Sequence, residues 1–408
     1  MSGDVLDEVF ERVMASRVFR DRDVLSPDYI PERLPHREEE IRSLGSVLAQ
    51  ALKGSRPSNV FIYGLTGTGK TAVTLYVLRR LVAKARSIGV DVVYSYVNTR
   101  QRDTAYKVLA DIAGSIGVRV PFTGLSTAEV YARLVRGLSR RRGVLIVVLD
   151  EVDWLVKRRG DDLLYKLTRI GYELPRGSMQ VSLIGITNDV KFVDMLDARV
   201  RSSLGEEELV FRPYNAEQLE DILRERAERA FHPGVLEPGV IEYCAALAAR
   251  VHGDARRALD LLRVAGELAE REGASSVRVE HVKRAWDVIE RDRVFEVVRS
   301  LPLQARIVLL ALVLLRWRGV RSTTTGELYN AYSLVAERIG VDPVTQRRVS
   351  DIINELDMLG VINARIVSRG RYGKTRIITL SADPDTVVEA LSVDPLLGRV
   401  LQRLRGRG

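Results

Sequence analysis

The sequence predicts an α/β domain built on a parallel sheet, followed by a helical lid and a carboxyl-terminal winged-helix domain of the α+β class. Apolar runs of strand length alternate with helical segments early in the chain, a purely helical block follows, and the final region combines helices with two β-rich runs. A chain of 408 residues is too long for one core. We predict domains at 1–213, including an amino-terminal arm, 214–295 and 296–408.

The pattern of elements supports this division. Five apolar runs suit buried parallel strands separated by helices: 59–63, 91–97, 144–149, 181–186 and 208–211. Lid helices are predicted near 215–231, 237–251, 253–271 and 279–292, with a linker at 292–302. The last region is predicted to hold helices at 302–317, 325–339 and 343–359 and strands at 364–368 and 375–379.

The composition is that of a folded protein with excess positive charge. Hydrophobic residues form 46% and charged residues 29% of the chain, which excludes disordered and fibrous classes. The net charge of +9 favours a polyanionic partner, because clustered cations release counterions condensed on phosphates. An unevenly charged but ordinary surface would give the same total, so charge alone leaves the partner open.

Several features are missing from the sequence. Cys244 is the only cysteine, which excludes an intrachain disulfide or a cysteine cluster for zinc, and its apolar surroundings predict a core position. The first residues lack the pattern of a secretion signal. The most apolar stretch, 307–315, is shorter than the about 20 residues that span a bilayer. We therefore expect a cytoplasmic protein with no membrane partner.

A phosphate-binding loop is the most specific motif. Residues 64–71 read GLTGTGKT, which matches GxxxxGK[ST] between a strand and a helix. The glycines let backbone N–H groups surround phosphate oxygens, Lys70 adds charge at the β/γ-phosphates, and Thr71 offers a hydroxyl to Mg²⁺. A glycine-rich turn that binds nothing is the alternative. The predicted nucleotide-binding loop residues are Gly67, Thr68, Gly69, Lys70, Thr71 and Ala72.

Acidic residues end the third apolar run, VLIVVLDEVD. Parallel strands deliver their carboxyl ends to one sheet edge, so these acids should lie beside the loop. Asp150 would hold Mg²⁺ through water, and Glu151 would orient or activate the attacking water. Such acids are often merely solubilising, but the loop motif favours the catalytic interpretation. Asp153 is either part of this site or a cap of the next helix.

Two further polar residues complete the predicted catalytic set. Asn188 follows the fourth run and could polarise the same water, although such an Asn is often a turn residue. The string HGDARR opens a lid helix that Asp254 is predicted to cap, which leaves Arg256 in the first turn facing a phosphate.

The final domain contains a candidate recognition helix, predicted from Asp342 or Pro343 to Met358. Its apolar face has the spacing i, i+3, i+4, i+7 from Val349 to Leu356. The opposite face carries Gln346, Arg347 and Arg348, which suit base edges and phosphates.

A basic hairpin follows this helix. Its tip contains Arg369, Arg371, Tyr372 and Lys374 with no acid between them. The alternative is a solvated charged face, but a helix followed by a basic wing is typical of winged-helix DNA-binding domains.

These motifs, in this order, resemble the AAA+ superfamily. The strings PERLPHREEEI, DEVD, LDARVRSSLGEEELVFRPY and HGDARRALDLL resemble, more narrowly, the archaeal replication initiators, relatives of the eukaryotic origin recognition and cell division cycle proteins. The resemblance covers nearly the whole chain. It implies an AAA+ domain with lid and winged helix, ATP/ADP and Mg²⁺ as cofactors, and Arg256 as the lid-borne sensor arginine.

The resemblance implies further site residues. The arm around Pro35, His36 and Arg37 should lie against the adenine, Tyr214 near the base, and Arg226 facing the nucleotide. The alternative is that His36 and Tyr214 only pack against other parts of the protein.

Two other sets of residues are implied by the same resemblance. Arg199 and Arg201 are candidates for an arginine finger, although Ser203 stands where some relatives have arginine, which favours a slow switch over a motor. A DNA-contacting insertion would lie within 98–123, with Arg100, Arg102 and Lys107 as candidates.

The function implied is a replication initiator. It would bind double-stranded origin DNA according to ATP or ADP state, associate with the nucleoid, and recruit or load the replicative helicase, with paralogous initiator subunits as possible partners. An ATP-switched transcription regulator has the same domains, because fold does not encode the locus bound. A processive motor or clamp loader would need a trans arginine and fast turnover.

Overall fold

The computed structural model describes residues 17–27, 29–121, 123–189, 191–204, 206–368 and 374–405. The chain divides into two compact units, Met1–Val282 and Lys283–Gly408. Within the described ranges, no helix is long and apolar enough to cross a membrane. The domain boundaries after 213 and 295 remain predictions.

The first unit contains the parallel sheet and the lid. Its strands are β1 (Asn59–Gly64), β2 (Val92–Asn98), β3 (Val144–Asp150), β4 (Gln180–Thr187) and β5 (Glu206–Phe211). Its helices are α1 (Glu38–Leu48), α2 (Lys70–Ser87), α3 (Ala105–Ser115), α4 (Thr127–Ser139), α5 (Val152–Arg159), α6 (Asp162–Arg169), α7 (Ala198–Leu204), α8 (Ala216–Ala230), α9 (Val240–Arg250) and α10 (Ala255–Arg271). Short 3-10 helices lie at Arg22–Leu25, Ala49–Lys53, Ile170–Glu173 and Phe192–Met195.

The sheet is parallel with strand order β2-β3-β4-β1-β5. All five predicted runs are strands, with ends shifted by at most two residues. The register pairs Asn98 with Asp150 and Tyr63 with Thr187, so the carboxyl ends of the inner strands meet at one edge. This edge receives the loop after β1 and the acids after β3.

The apolar runs are continuous because both faces of the sheet are covered. In β3, Leu145, Val147 and Leu149 join one buried cluster, with α3 to α6. The alternate residues Val144 and Ile146 join a second cluster, with α1 and α2. Alternate side chains of β3 therefore point to opposite faces of the sheet and contribute to two separate cores.

The lid begins at α8, which Asn215 and Gln218 start with a capping box. Part of the amino-terminal arm belongs to this lid. Phe19 forms a bridge with Phe231, and the N–H groups of Arg20 and Asp21 donate to Ala230 O at 2.8 and 3.1 Å. Residues 29–36, which we call the crossing segment, then lead from the lid to α1.

The helix α11 (Val279–Ser300) contains the boundary between the two units. The prediction that this helix ends near 292 and gives way to a linker is wrong. Val294 and Val298, one turn apart, are both buried, so the apolar face of α11 continues to Ser300.

The second unit continues with α12 (Leu303–Trp317), β6 (Thr323–Thr324), α13 (Thr325–Arg338), α14 (Gln346–Met358), β7 (Ile362–Ser368), β8 (Lys374–Leu380), α15 (Pro384–Ser392) and α16 (Pro395–Arg405). Its strands form an antiparallel sheet of order β6-β8-β7. The sequence patterns did not predict α15 and α16, which pack through Val387, Leu391 and Leu397 into the core of this unit.

The predicted start of the recognition helix at Asp342 or Pro343 is wrong. The helix α14 begins at Gln346, where the Thr345 hydroxyl accepts the N–H of Arg348 at 3.4 Å. Before it, the N–H of Val344 donates to the Tyr332 hydroxyl at 2.8 Å, so this segment docks on α13 in place of adding a helical turn.

Candidate nucleotide site and nucleic-acid interface

A cleft of about 570 Å³ lies at the carboxyl edge of the sheet, within the usual size range of ligand sites. It is bounded by the phosphate-binding loop, the lid and the crossing segment. The predicted residues that line it are Pro35, Gly67, Thr68, Gly69, Lys70, Thr71, Ala72, Arg100, Asp150, Glu151, Asn188, Tyr214, Arg226 and Arg256. The motifs separated in sequence therefore converge on one cavity.

Lys70 is held at the first turn of α2 and is only 6% exposed. Its ammonium donates to Gly64 O and Leu65 O, both at 2.7 Å, and to Asn188 Oδ1 at 2.8 Å. Burial lowers the pKa of Lys70 to about 8; the Arg256 charge acts in the same direction, and the Asp150 charge opposes it. The cation is therefore positioned by the loop and by Asn188.

Asp150 accepts hydrogen bonds from three directions. Its Oδ2 accepts from Thr71 Oγ1 at 2.7 Å and from the Tyr96 hydroxyl at 2.8 Å. Its Oδ1 accepts from the N–H of Glu151 at 2.9 Å. A carboxylate and a hydroxyl are hard oxygen ligands of the kind Mg²⁺ prefers, so Asp150 and Thr71 form a donor pair suited to that ion.

Glu151 occupies the left-handed region with φ 55°, which is uncommon for a residue other than glycine. Thr99 Oγ1 donates to its carbonyl at 2.6 Å, which supports this conformation. Its carboxylate accepts from Asn98 Nδ2 at 3.3 Å and lies 3.8 Å from the Arg100 guanidinium. The predicted catalytic base is thus oriented by the end of β2.

The lid touches the phosphate-binding loop directly. As predicted, Asp254 caps α10, accepting from the N–H groups of Arg256 at 2.8 Å and Arg257 at 3.2 Å. The N–H of Ala255 donates to Gly67 O at 3.1 Å. A Cβ on Gly67 would overlap the Asp254 carboxylate, so glycine permits this contact as well as the backbone turn.

Arg37 differs from its predicted position against the adenine. It is 4% exposed, does not line the cleft, and has its guanidinium 3.9 Å from the Tyr214 ring centre. It donates to Thr68 O at 3.0 Å, to the Tyr214 hydroxyl at 2.9 Å and to Arg212 O at 2.6 Å. Arg37 therefore connects the loop to the start of the lid.

His36 and Arg226 also have protein partners. His36 does not line the cleft, and its Nε2 lies 2.9 Å from Asp221 Oδ2 on α8. Arg226 donates to Val24 O at 2.9 Å and lies 4.7 Å from the Tyr29 ring centre. Burial lowers the pKa of Arg226, whose side chain lines the cleft while holding the arm.

The arginine-finger candidates lie on α7, away from the cleft lining. Arg199 has an 80% exposed side chain and pairs with Asp197 at 3.1 Å. Arg201 donates to Leu196 O at 3.1 Å. Their roles remain predictions.

The three candidate DNA contacts of the insertion have different surroundings. Arg102 pairs with Asp111 at 2.7 Å, and Lys107 pairs with Asp103 at 2.8 Å. Arg100 instead lines the nucleotide cleft beside Glu151.

Tyr96 and Arg100 are two of several cleft residues whose position the motifs did not predict. The available signal was the alternation of Tyr94, Tyr96 and Asn98 along β2, which places them on one face. The spacing of apolar runs along the sequence does not predict the strand order, so the position of β2 beside β3 was not predicted.

On the candidate recognition helix, Gln346, Arg347 and Arg348 are exposed, opposite the buried Val349 and Ile353. Arg348 lies 3.6 Å from Glu355 and 4.0 Å from Asp351. The wing residues Arg369, Arg371 and Tyr372 and the side chain of Lys374 lie outside the described residues.

Three family models match the chain. An AAA domain covers residues 53–191, a Cdc6 AAA+ ATPase-type lid domain covers 220–287, and a CDC6 C-terminal winged-helix domain covers 296–390. The matched ranges include the phosphate-binding loop, α10 and α14.

Known relatives match over nearly the whole length. The ORC1-type DNA replication protein 1 of Aeropyrum pernix is 59% identical over 397 residues, 97% of this chain and 100% of that protein. That of Sulfurisphaera tokodaii is 56% identical over 388 residues, 95% of this chain and 96% of that protein. The solved structure of Aeropyrum pernix ORC1 in complex with DNA has a TM-score of 0.81 and 60% identity, covering 94% of this chain and 99% of that chain.

These matches confirm the resemblance and the fold class predicted from the sequence. The chain belongs to the family of archaeal ORC1-type DNA replication proteins, with an AAA+ ATPase domain, a Cdc6-type lid and a carboxyl-terminal winged helix.

Proposed function

We propose that this chain is a replication initiator that binds ATP or ADP with Mg²⁺ in the cleft and uses the nucleotide state to control its binding to origin DNA. The observation that carries the proposal is the contact of Ala255 N–H with Gly67 O at 3.1 Å, beside Lys70 and Arg256 in one cleft. Phosphates bound by the loop and by the lid together would fix the lid angle.

Each residue of the cleft has a distinct task in this proposal. Lys70 places positive charge on the β/γ-phosphates, and Arg256 reaches the phosphates from the lid. Thr71 and Asp150 hold Mg²⁺, which when bound neutralises charge on the phosphate oxygens. Glu151 orients and deprotonates the attacking water.

Asn188 is the remaining member of the catalytic set. Asn188 Oδ1 accepts a hydrogen bond from Lys70 at 2.8 Å and so helps to hold the ammonium beside the loop. Under this proposal its side chain also polarises the attacking water. The Lys70–Asn188 contact links the segments that follow β1 and β4, which are neighbours in the sheet.

We infer that turnover is slow and Mg²⁺-dependent. The Glu151 carboxylate is already engaged by Asn98 and Arg100, which competes with its role as a base. Arg199 and Arg201, on α7, would act on the phosphates of a neighbouring paralogous subunit. An isolated protomer would therefore hydrolyse ATP slowly, and turnover faster than about one per second would contradict a switch.

The proposed partner is double-stranded DNA at a replication origin. The support is the DNA-bound structure of the Aeropyrum pernix relative and the exposed Gln346, Arg347 and Arg348 of α14. Recruitment or loading of the replicative helicase is part of the proposal, and the chain's similarity to DNA replication proteins supports it. Under this proposal the protein is associated with the nucleoid.

Footprinting on the cognate chromosomal origin region tests the proposal. The wild-type protein and Lys70→Ala are compared with ATP and with ADP. We expect discrete protected sites whose pattern depends on nucleotide for the wild type alone. Equal protection of every duplex would contradict origin recognition, and genome-wide occupancy of many promoters would instead support the transcription regulator.

A further inference from the structure

The edge of the sheet opposite the nucleotide cleft is formed by four segments that precede β1 to β4. Hydrogen bonds join them side by side. Val144 N–H donates to Asp91 O at 2.9 Å, Gln180 N–H to Gly143 O at 2.8 Å, and Ser182 Oγ to Ser58 O at 3.1 Å. With strands about 4.8 Å apart, the four segments span about 14 Å.

These segments concentrate positive charge. In residues 50–58, 84–91, 139–143 and 170–179 the chain has eight cations and two carboxylates. The cations are Lys53, Arg56, Lys84, Arg86, Arg140, Arg141, Arg142 and Arg176. We call this surface the basic edge. It ends at β5, where Glu207 and Glu208 are exposed.

Both carboxylates of the basic edge are already engaged. Asp91 pairs with Arg141 at 2.9 Å, and Glu173 accepts from the Tyr131 hydroxyl at 2.8 Å. The other cations are exposed. Within the described ranges, the side chains of Lys53, Lys84, Arg86, Arg140, Arg142 and Arg176 make no hydrogen bond or ion pair.

Surface arginines elsewhere in the same unit often have carboxylate partners. Arg133 and Arg136 share Glu129 at 3.2 and 2.9 Å, and Arg224 binds two glutamates at 2.6 Å. Like charges that outnumber nearby acids repel each other, so the six cations of the basic edge that make no hydrogen bond or ion pair create an unfavourable field in the free protein. A polyanion relieves that repulsion.

An exposed aromatic residue adjoins the basic edge. Tyr172 is 81% exposed, and the Arg169 guanidinium lies 5.4 Å from its ring centre. Gly171, which precedes Tyr172, lies beside the Arg56 guanidinium. A Cβ on Gly171 would be 4.0 Å from that guanidinium. Tyrosine is one of the side chains that donate a hydrogen bond to the phosphate oxygens of duplex DNA, so Tyr172 suits a backbone contact.

We propose that the basic edge binds the phosphate backbone of double-stranded DNA, as a contact separate from α14, the wing and the insertion. This inference rests on the proposed function, in which the protein binds double-stranded DNA. A duplex presents one negative charge per about 1.7 Å, so a span of about 14 Å faces several phosphates. Long exposed arginines and lysines suit phosphates without reading bases, so this contact adds affinity that depends on salt and not on sequence.

The test compares Arg140→Gln/Arg142→Gln/Arg176→Gln with a matched control, Arg79→Gln/Arg250→Gln/Arg271→Gln. Both triple variants lose the same charge, and all six positions are exposed. Affinity for a random-sequence duplex is measured by fluorescence anisotropy over a series of salt concentrations. Circular dichroism and ATP affinity verify that both variants fold.

Log K falls as log salt concentration rises, so the slope is negative. We expect its magnitude to be smaller by about 2 to 3 in the basic-edge variant and to stay near the wild-type value in the control. The ratio of specific to random affinity should rise or stay constant. Equal slopes for the two triple variants would overturn the proposal.

Two outcomes separate this proposal from others. If the wild-type protein binds no duplex at low salt, the proposed function fails and the basic edge fails with it. If duplex binding is unchanged but polyglutamate binds the wild type and not the variant, the basic edge takes an acidic protein segment and the proposal is wrong.

Discussion

The nucleotide cleft and the recognition helix use charged residues in opposite ways. Lys70 is 6% exposed and held by three oxygens, and the Asp150 carboxylate accepts three hydrogen bonds. Gln346 and Arg347 on α14 are exposed. The cleft is organised before any ligand arrives, whereas the helix relies on long side chains that become ordered on binding. Substitutions should therefore be severe in the cleft and graded on the helix.

The largest expected effect is that of Lys70→Ala. Removing the ammonium takes away the charge that faces the phosphates, and we expect ATP turnover to fall on the order of 100-fold. Lys166→Ala, an exposed lysine on α6, is the matched control and should keep wild-type turnover. A Lys70→Ala protein with normal ATPase activity would show that the cleft is not the catalytic site.

Arg37→Ala should have the next largest effect, on stability. Its loss leaves Thr68 O and Arg212 O without their donor and exposes the Tyr214 ring, so we expect the free energy of unfolding to fall by about 3 kcal/mol. Arg37→Lys should not restore it, because an ammonium lacks the planar fork. Urea denaturation followed by circular dichroism measures the change.

Arg42→Ala is the control for Arg37, since Arg42 is exposed on α1, the helix that directly follows Arg37. Its effect should stay within about 0.5 kcal/mol. Equal effects at both positions would mean that Arg37 does not connect the loop to the lid.

The pH dependence of ATP affinity should follow Lys70. Burial lowers the pKa of this residue in the free protein to about 8, and bound phosphates would raise it again. Affinity should therefore be constant below the lower pKa and weaken above it by up to about tenfold per pH unit. Isothermal titration from about pH 7.5 to about pH 9.5 measures this, with Lys70→Arg expected to show no such decline because its guanidinium stays charged.

The smallest effects are expected on α14. Arg347→Ala should reduce the ratio of specific to random duplex affinity by about 1 kcal/mol, or roughly fivefold, if its guanidinium meets a base edge. Arg348→Ala should cost less, because Arg348 already lies 3.6 Å from Glu355. Competition binding measures both affinity ratios. If Arg347→Ala reduced its ratio by as large a factor as Lys70→Ala reduces ATP turnover, the contrast between the two regions would be wrong.

The parts predicted correctly depend on short-range patterns. The loop 64–71, the strand and the helix that flank it, and the Asp254 cap each follow from residue spacing along one element. Contacts between elements were not predictable in this way. Tyr96 reaches Asp150 because β2 lies beside β3, and Arg37 is buried because the lid begins next to the loop.

Errors arose where a local signal competed with packing. The Asp-Pro pair predicted a helix start, but the Tyr332 hydroxyl binds the next N–H and delays the helix to Gln346. The lid helix predicted near 279–292 was expected to give way to a linker at 292–302, yet Val294 and Val298 are buried and α11 continues to Ser300. The insertion arginines were treated as one set, although Arg100 lies in the nucleotide cleft and Arg102 does not.

The packing of Phe19 against Phe231 gives the lid two covalent tethers to the sheet, one through residues 29–36 and one through residues 211–216. A domain attached at two points rotates most easily about the line that joins those points. Rotation about other axes would stretch one tether. We therefore expect bound nucleotide to change mainly the rotation of the lid about that line, and cleavage of either tether to permit rotation about further axes.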